Sequence, residues 1–322
     1  MTVRARLYDA RREDREVNLE ELDLSKVDDR QLLWIDIDER SDASLALLSS
    51  KLELEPLILR QLSPDRRRPR LVRAPERVAF TLVAVEPNAD GDDLVSKAFD
   101  IVAGKNLVVT VHDGPLLAIE ELEDQLRGEQ HIGRLDAGHL LIGLVDVVIA
   151  RYLAEVESIE RDIDMLDAMA LKARGDHGAF LSAVVELRRR IAVLRRSLTP
   201  NRNALGPVVR PDFQALDDVL EPWPGLVDRL ERAIDAVDNA RENLVGSFDI
   251  YLGQAAQHSN EVMKVLTLVS AIALPAVVLA GVMGMNFQLA FFDTPGNFLV
   301  VVGSMVTFAL LILAVARWRR WI

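Results

Sequence analysis

The chain has no cysteine. That absence excludes disulfides, thiolate metal sites and cysteine nucleophiles together, and it fits a reducing compartment. Histidine is scarce and scattered. His112, His131, His139, His177 and His258 show no HExxH or other paired spacing, so a zinc hydrolase centre has no ligand set. Phosphate loops and nucleophile elbows are missing too: the chain contains no Walker sequence, no GxGxxG and no GxSxG. An enzyme is therefore not expected, nor a resident cofactor. Positive charge is in deficit, with 38 Lys+Arg against 50 Asp+Glu and a formal net charge of −12. Nucleic acid needs clustered Lys and Arg, so it is not the expected partner. An acidic chain concentrates cations, although an ordinary solvated surface carries such charge as well. Met1 to Arg15 is highly charged and has no apolar run, which argues against a secretory signal.

What is present is apolar bulk. Half of the 322 residues are hydrophobic, enough for a sizeable core. Two stretches near the C-terminus, Val265 to Met283 and Phe298 to Ala316, carry no charge. Each has about 19 residues, close to the ~20 that cross ~30 Å of hydrocarbon as a helix. Two such runs in series read as transmembrane helices; a pair of buried core helices is the soluble alternative. Lys264 precedes the first, Arg317, Arg319 and Arg320 follow the second, and the connection 284–297 has neither Lys nor Arg. That asymmetry places both termini in the cytoplasm of a multi-pass inner-membrane protein, with Trp318 and Trp321 at the headgroup level.

The rest divides by pattern. Residues 1–134 read as a cytoplasmic α/β domain, with strands over Thr2 to Tyr8, Leu32 to Ile37, Arg77 to Val85, Ala98 to Ala103 and Asn106 to Val111. Helices are expected over Ser41 to Lys51 and Pro115 to Arg127. The basic, proline-broken stretch Arg66 to Arg73 reads as a loop or sheet edge. Residues 135–264 read as a helical hairpin and a stalk. Leu141, Val145, Val148, Tyr152, Val156, Ile159, Ile163 and Leu166 form one apolar seam. Gly175 and Gly178 interrupt it; Val184, Leu187, Ile191, Leu194 and Leu198 resume it; Pro200, Pro207 and Pro211 are expected to end the hairpin. A third helical pattern starts near Pro224 and meets no breaker before Pro275, so a helix of ~60 residues and ~90 Å would run into the first span. Residues 265–322 hold the two spans, an external loop 284–297 and a short tail.

Along this stalk Asp249, Leu252, Ala256, Asn260, Met263, Thr267, Ser270, Leu274, Val278 and Gly281 recur every three or four residues, which sets them on one stripe. The mixture of small, polar and apolar residues suits a pore lining, and it suits a packing seam equally well. Two spans cannot enclose an aqueous path by themselves, so conduction requires several copies around an axis.

The run Asn260-Glu261-Val262-Met263-Lys264-Val265-Leu266-Thr267, then Pro275, Gly281 and Gly284-Met285-Asn286-Phe287, resembles the first membrane helix of the CorA metal-ion transporters. Asp249-Ile250-Tyr251-Leu252 and Leu194-Arg195-Arg196-Ser197-Leu198-Thr199-Pro200 belong to the same resemblance, which extends from about Leu140 to the C-terminus. It implies a homopentamer with a funnel-shaped cytoplasmic α+β domain, long stalk helices and two C-terminal transmembrane helices. The first span would line the pore, and Gly284, Met285 and Asn286 would form the external selectivity ring. Asn286 would hold a divalent cation through its hydration water, without stripping a shell that Mg2+ gives up reluctantly. The resemblance further implies a second polar ring at Asn260, an apolar constriction at Met263 with Leu266 or Thr267, and a cytoplasmic mouth at Asp249 and Leu252. As a single residue, Asn286 also suits a helix C-terminal turn.

The sequence departs from magnesium-type members at three places. Met283 stands where they have an aromatic residue before Gly-Met-Asn, and Gln288 to Asn297 replaces their Met-Pro-Glu-Leu loop, leaving Asp293 as the acidic residue at the outer mouth. Trp223-Pro224-Gly225 occupies the stalk region where those members carry sensing carboxylates, with Asp228 nearby. These departures look more like the ZntB branch, which implies zinc as the cargo; Mg2+ or Co2+ passage and a non-conducting membrane-anchored coiled-coil scaffold are the alternatives. His258 lies off the stripe, so no imidazole or soft ligand faces the path.

Overall fold

The computed structural model of the chain describes residues 3–9, 14–19, 21–22, 27, 31–63, 71–88, 93–128, 137–171, 177–209, 223–285 and 295–319. Seven strands form one sheet, β1 (Val3–Asp9), β2 (Arg15–Glu16), β3 (Gln31–Ile37), β4 (Leu71–Arg73), β5 (Val78–Pro87), β6 (Leu94–Gly104) and β7 (Leu107–Val111). Their order is β2-β1-β3-β7-β6-β5-β4, antiparallel throughout except for the parallel pair β3 and β7. The five expected strands all form. β5 and β7 are nearly all apolar and buried, as strands covered on both faces should be.

One face of the sheet packs Ile35, Ile37, Val102, Val109 and Val111 against α1 (Asp42–Leu52) and α2 (Pro56–Leu62), whose Leu48, Leu52, Ile58 and Leu62 close the core. Ser41 starts α1 through a reciprocal cap: Ser44 N–H donates to Ser41 Oγ at 3.3 Å and Ser41 N–H to Ser44 Oγ at 2.8 Å. Glu53, at φ 48°, turns the chain from α1 toward Pro56, the first residue of α2. α3 (Leu117–Gly128) starts where Leu117 N–H donates to the buried Glu86 carboxylate at 2.6 Å. α2, β2 and β4 form where no periodicity predicts them. β4 falls in the stretch expected as loop or edge, and it is the sheet's terminal strand.

α4 (Ala137–Ala170) buries every residue of the expected seam, Leu141 to Leu166. It is long and apolar enough to cross a membrane, yet just over half of its most apolar window is buried inside the protein, which marks a core helix. α5 (His177–Leu205) returns antiparallel to it: Arg190 pairs with Glu155 at 2.6 Å and Asp162 at 2.5 Å, while Asn201 reaches Tyr152. Two expected breaks do not act as such. Gly178 lies in the first turn of α5, where the N–H groups lack helical partners anyway, and Pro200 lies inside a helix that continues to Leu205. The bond forfeited at Pro200 is offset next door, where Asn201 is clamped onto β5. Pro207 falls in a short 3-10 turn, Gly206–Val209, whereas Gly175 and Pro211 lie outside the described residues.

α6 (Trp223–Met283) is a single helix of 61 residues, and α7 (Pro295–Trp318) follows. The chain forms two compact units, Met1–Ala168 with Asp176–Ser247, and Met169–Gly175 with Phe248–Ile322. In the first unit α6 buries Leu226, Leu230, Ala233, Val237, Ala240 and Leu244. In the second, α6 and α7 carry windows of mean hydropathy 2.5 and 2.8, none of whose residues is buried. A protein surface that apolar requires lipid or further protein against it.

Candidate functional site

The second unit holds the stripe. Asp249, Leu252, Asn260, Met263, Leu266, Thr267, Ser270, Leu274, Gly281 and Gly284 are all solvent-exposed along α6 and its last turn; Leu274 is 68% exposed and Met263 57%. The helix has a second, different side. Leu268, Ile272, Pro275 and Ala276 are partly shielded, as is Met283 two turns further on. On α7 the partly shielded residues are Asn297, Val301, Met305, Ala309 and Ile312, ending at Ala316, which is only 5% exposed. Leu268 and Ala271 line a crevice together with Ile312 and Ala316, so the start of the α6 span lies beside the end of α7 and the two helices run antiparallel. At 100° per residue the shielded side of α6 and the stripe fall on opposite faces. Apart from Thr267, which borders the crevice, the stripe thus looks away from α7 and is not the seam between the two spans of one chain.

Chemically the stripe is modest. The Thr267 hydroxyl donates back to the Met263 carbonyl at 2.7 Å. A Cβ placed on Gly281 would meet nothing within 4 Å. The helix closes with Gly284 N–H bonded to Ala280 O at 3.0 Å and Met285 N–H to Val282 O at 3.2 Å. Asn286 and Asp293, the two expected outer-mouth residues, lie outside the described residues. Among the described residues no group of three or more His, Asp or Glu side chains is placed to hold a metal ion.

The first unit contains ionic centres that no motif or spacing signals. On one face of the sheet Asp36 accepts from Thr110 Oγ1 at 2.5 Å and from Arg4 at 2.8 Å, and His112 Nε2 stands 3.0 Å from the same carboxylate. The other ring nitrogen, Nδ1, faces the Gly114 carbonyl at 2.6 Å. Burial works to lower the His112 pKa, but the Asp36 hydrogen bond and charge outweigh it and hold it above the ordinary imidazole value. For Asp36, burial works upward and is overcome by the bonds from His112 and Thr110 and the charges of His112 and Arg4, leaving it below the usual carboxylate value. On the opposite face Asp100 accepts from Thr81 Oγ1 at 2.5 Å and stands 2.8 Å from Arg40 Nη2. Here burial prevails over Arg40 and pushes the Asp100 pKa up to about 6. All three groups, at 1–3% exposure, are sealed from solvent, so they serve the fold and offer no route to an ion.

A family model described as CorA-like Mg2+ transporter protein matches residues 29–317. The cobalt/magnesium transport protein CorA of Methanocaldococcus jannaschii is 25% identical over 305 residues, covering 94% of this chain and 95% of its own. The zinc transport protein ZntB of Photorhabdus laumondii is 23% identical over 272 residues, covering 83% and 79%. Among solved structures, the complete structure of the CorA magnesium transporter from M. jannaschii superposes with a TM-score of 0.81 at 23% identity, covering 100% of this chain and 99% of that one. The fold is therefore that of the M. jannaschii structure along the whole of the chain given.

Proposed function

The chain belongs to the family of CorA-like Mg2+ transporter proteins, which carry divalent cations and are not enzymes, and we propose that its own ion path is the stripe on α6. The observation that carries this reading is the geometry of the second unit: Asn260, Met263, Ser270, Leu274 and Gly281 are exposed on the face of α6 turned away from α7. Several copies, five on the family plan, would set these faces around one axis, with α7 toward lipid. Asn286 and the carbonyl of Gly284 would form the outer ring, Asn260 a second polar ring, Met263 with Leu266 and Thr267 the constriction, and Asp249 with Leu252 the inner mouth. Asp293 would add negative charge outside. The basic flanks, Lys264 and Arg317 with Arg319, support a cytoplasmic location for both termini in the inner membrane.

An amide ring suits an ion that keeps its water, because hydrogen bonds to the hydration shell cost no ligand exchange. For the cargo we propose Zn2+, on the missing loop glutamate and the Trp223-Pro224-Gly225 stalk, and Zn2+ would pass hydrated, since the described stripe has no imidazole. Mg2+ or Co2+ is the second reading, favoured by the similarity to proteins named cobalt/magnesium transporters. The test is uptake into liposomes carrying the purified protein, with Mg2+ or Zn2+ and with or without a pH gradient. Zn2+ entry enhanced by the gradient is expected; Mg2+ entry indifferent to it would favour the second reading. Asn286→Ala should abolish flux while assembly persists, and wild-type flux in that variant would overturn the ring assignment. Entry of neither ion would favour the scaffold.

A further inference from the structure

We propose that the crevice between α6 and α7 binds one anionic phospholipid, an acyl chain lying between the helices and the phosphate held by Lys264 and Arg319. The proposal rests on the reading of both helices as membrane spans. The crevice is walled by Thr267, Leu268 and Ala271 of α6 and by Ile312, Val315 and Ala316 of α7, with Arg319 at one end. The small side chains at 271 and 316 leave the gap open, and its walls demand little that is polar: the Thr267 hydroxyl in the lining already donates to its own helix. An acyl chain meets that requirement, whereas water deep in such a gap would face walls that offer it few bonds.

The mouth has the opposite character. Lys264 lies one helical turn before Leu268 on the same side of α6, and Arg319 one turn after Val315 on α7, its N–H still bonded to the Val315 carbonyl at 2.9 Å. Because the helices run antiparallel, both cations come at the same end of the crevice. Among the described residues neither has a carboxylate partner, and both are exposed. Two uncompensated cations at the rim of an apolar slot match a phosphodiester attached to hydrocarbon. A free phosphate would use only the rim, and a second copy of this chain would need an acidic group above an apolar ridge.

The experiment uses the full chain, purified in mild detergent, washed free of lipid and titrated with phosphatidylglycerol or phosphatidylcholine of identical acyl chains, retention being read by native mass spectrometry. Phosphatidylglycerol should saturate at one per subunit with at least ~10-fold preference. A basic residue near an anionic headgroup is worth about fivefold, so Lys264→Gln and Arg319→Gln should each cut the preference by about that factor. Both lie outside the packed seam, so they test the site even if Ala271→Phe, which should fill the crevice and weaken both lipids, fails to assemble. Equal retention of the two lipids, or a preference that survives loss of both cations, would overturn the site. So would displacement by millimolar inorganic phosphate, or a cross-link from position 271 to a second subunit. Failure to partition into liposomes at all would overturn the membrane reading as well, which separates the two.

Discussion

Asn201 and Val83 exchange a pair of hydrogen bonds across 118 residues of sequence: the Val83 N–H donates to Asn201 Oδ1 at 2.7 Å, and Asn201 Nδ2 donates to the Val83 carbonyl at 2.8 Å. β4 pairs with Val78 to Phe80 of β5, so among the described residues no strand pairs with Val83 on that side. A side-chain amide stands in for the missing strand. Tyr152 Oη reinforces it, donating to the same carbonyl at 2.8 Å.

Asn201→Ala should therefore destabilise the first unit by roughly 2–4 kcal/mol, since it strands a buried N–H and weakens the satisfaction of the carbonyl. Asn201→Asp should cost at least as much, because it sets a buried carboxylate against the Val83 carbonyl. Thermal melting of the detergent-solubilised protein checks both, and an Ala variant that melts like the wild type would remove the amide from its structural role.

The buried ionic centres predict opposite pH slopes. Asp100 binds its proton more tightly when folded, with a pKa of about 6 against an ordinary 3.8. Its contribution is thus present below pH 3.8 and lost as pH rises toward 6, and Asp100→Asn should flatten stability across that window. His112 is raised from 6.5, so its contribution is complete below 6.5 and lost as pH rises through its folded value. Asp36 is lowered from 3.8, so it stabilises above 3.8 and loses that effect as pH falls through its folded value. His112→Gln should remove the alkaline loss above about pH 6.5; melting curves from pH 4 to 9 would show an unchanged slope if the assignment is wrong.

Because the chain has no cysteine, single cysteines can be introduced along α6 without background. In the assembled protein a membrane-impermeant thiol reagent should label positions 260, 270, 274 and 281 and spare 268, 272 and 276, which face α7. Labelling on the α7 side with protection along the stripe would place the path elsewhere.

Gly281 sits in open space in one chain, so Gly281→Leu should leave the helix and its assembly intact. If several copies bring this position together around an axis, the added side chains should lower cation flux at least ~10-fold. Normal flux in an assembled variant would take Gly281 off the lining.

Helix periodicity carried much of this into view. The α4 seam was readable because eight residues at three- and four-residue spacing have one reason to be apolar, and all eight are buried. α2 was not, since seven residues give periodicity too few turns to register, and β2 and β4 are shorter still. The stripe on α6 was legible as a stripe; its direction was not, because that depends on where α7 lies. Nor could spacing pair His112 with Asp36, which are 76 positions apart and meet only because β3 and β7 are parallel neighbours. The proline at 200 misled for a related reason: local chemistry forecasts a break, and a distant strand overrides it.

The Val83–Asn201 clamp also sets a schedule for synthesis. Residue 201 is made 118 residues after Val83, so at ~5–20 residues per second this stretch of the β5 edge stays uncapped for roughly 6–24 s on the ribosome. For that interval a buried-type apolar strand offers an open hydrogen-bonding edge to any other chain nearby. Crowded expression should therefore endanger the nascent chain at its sheet before a membrane span has been made.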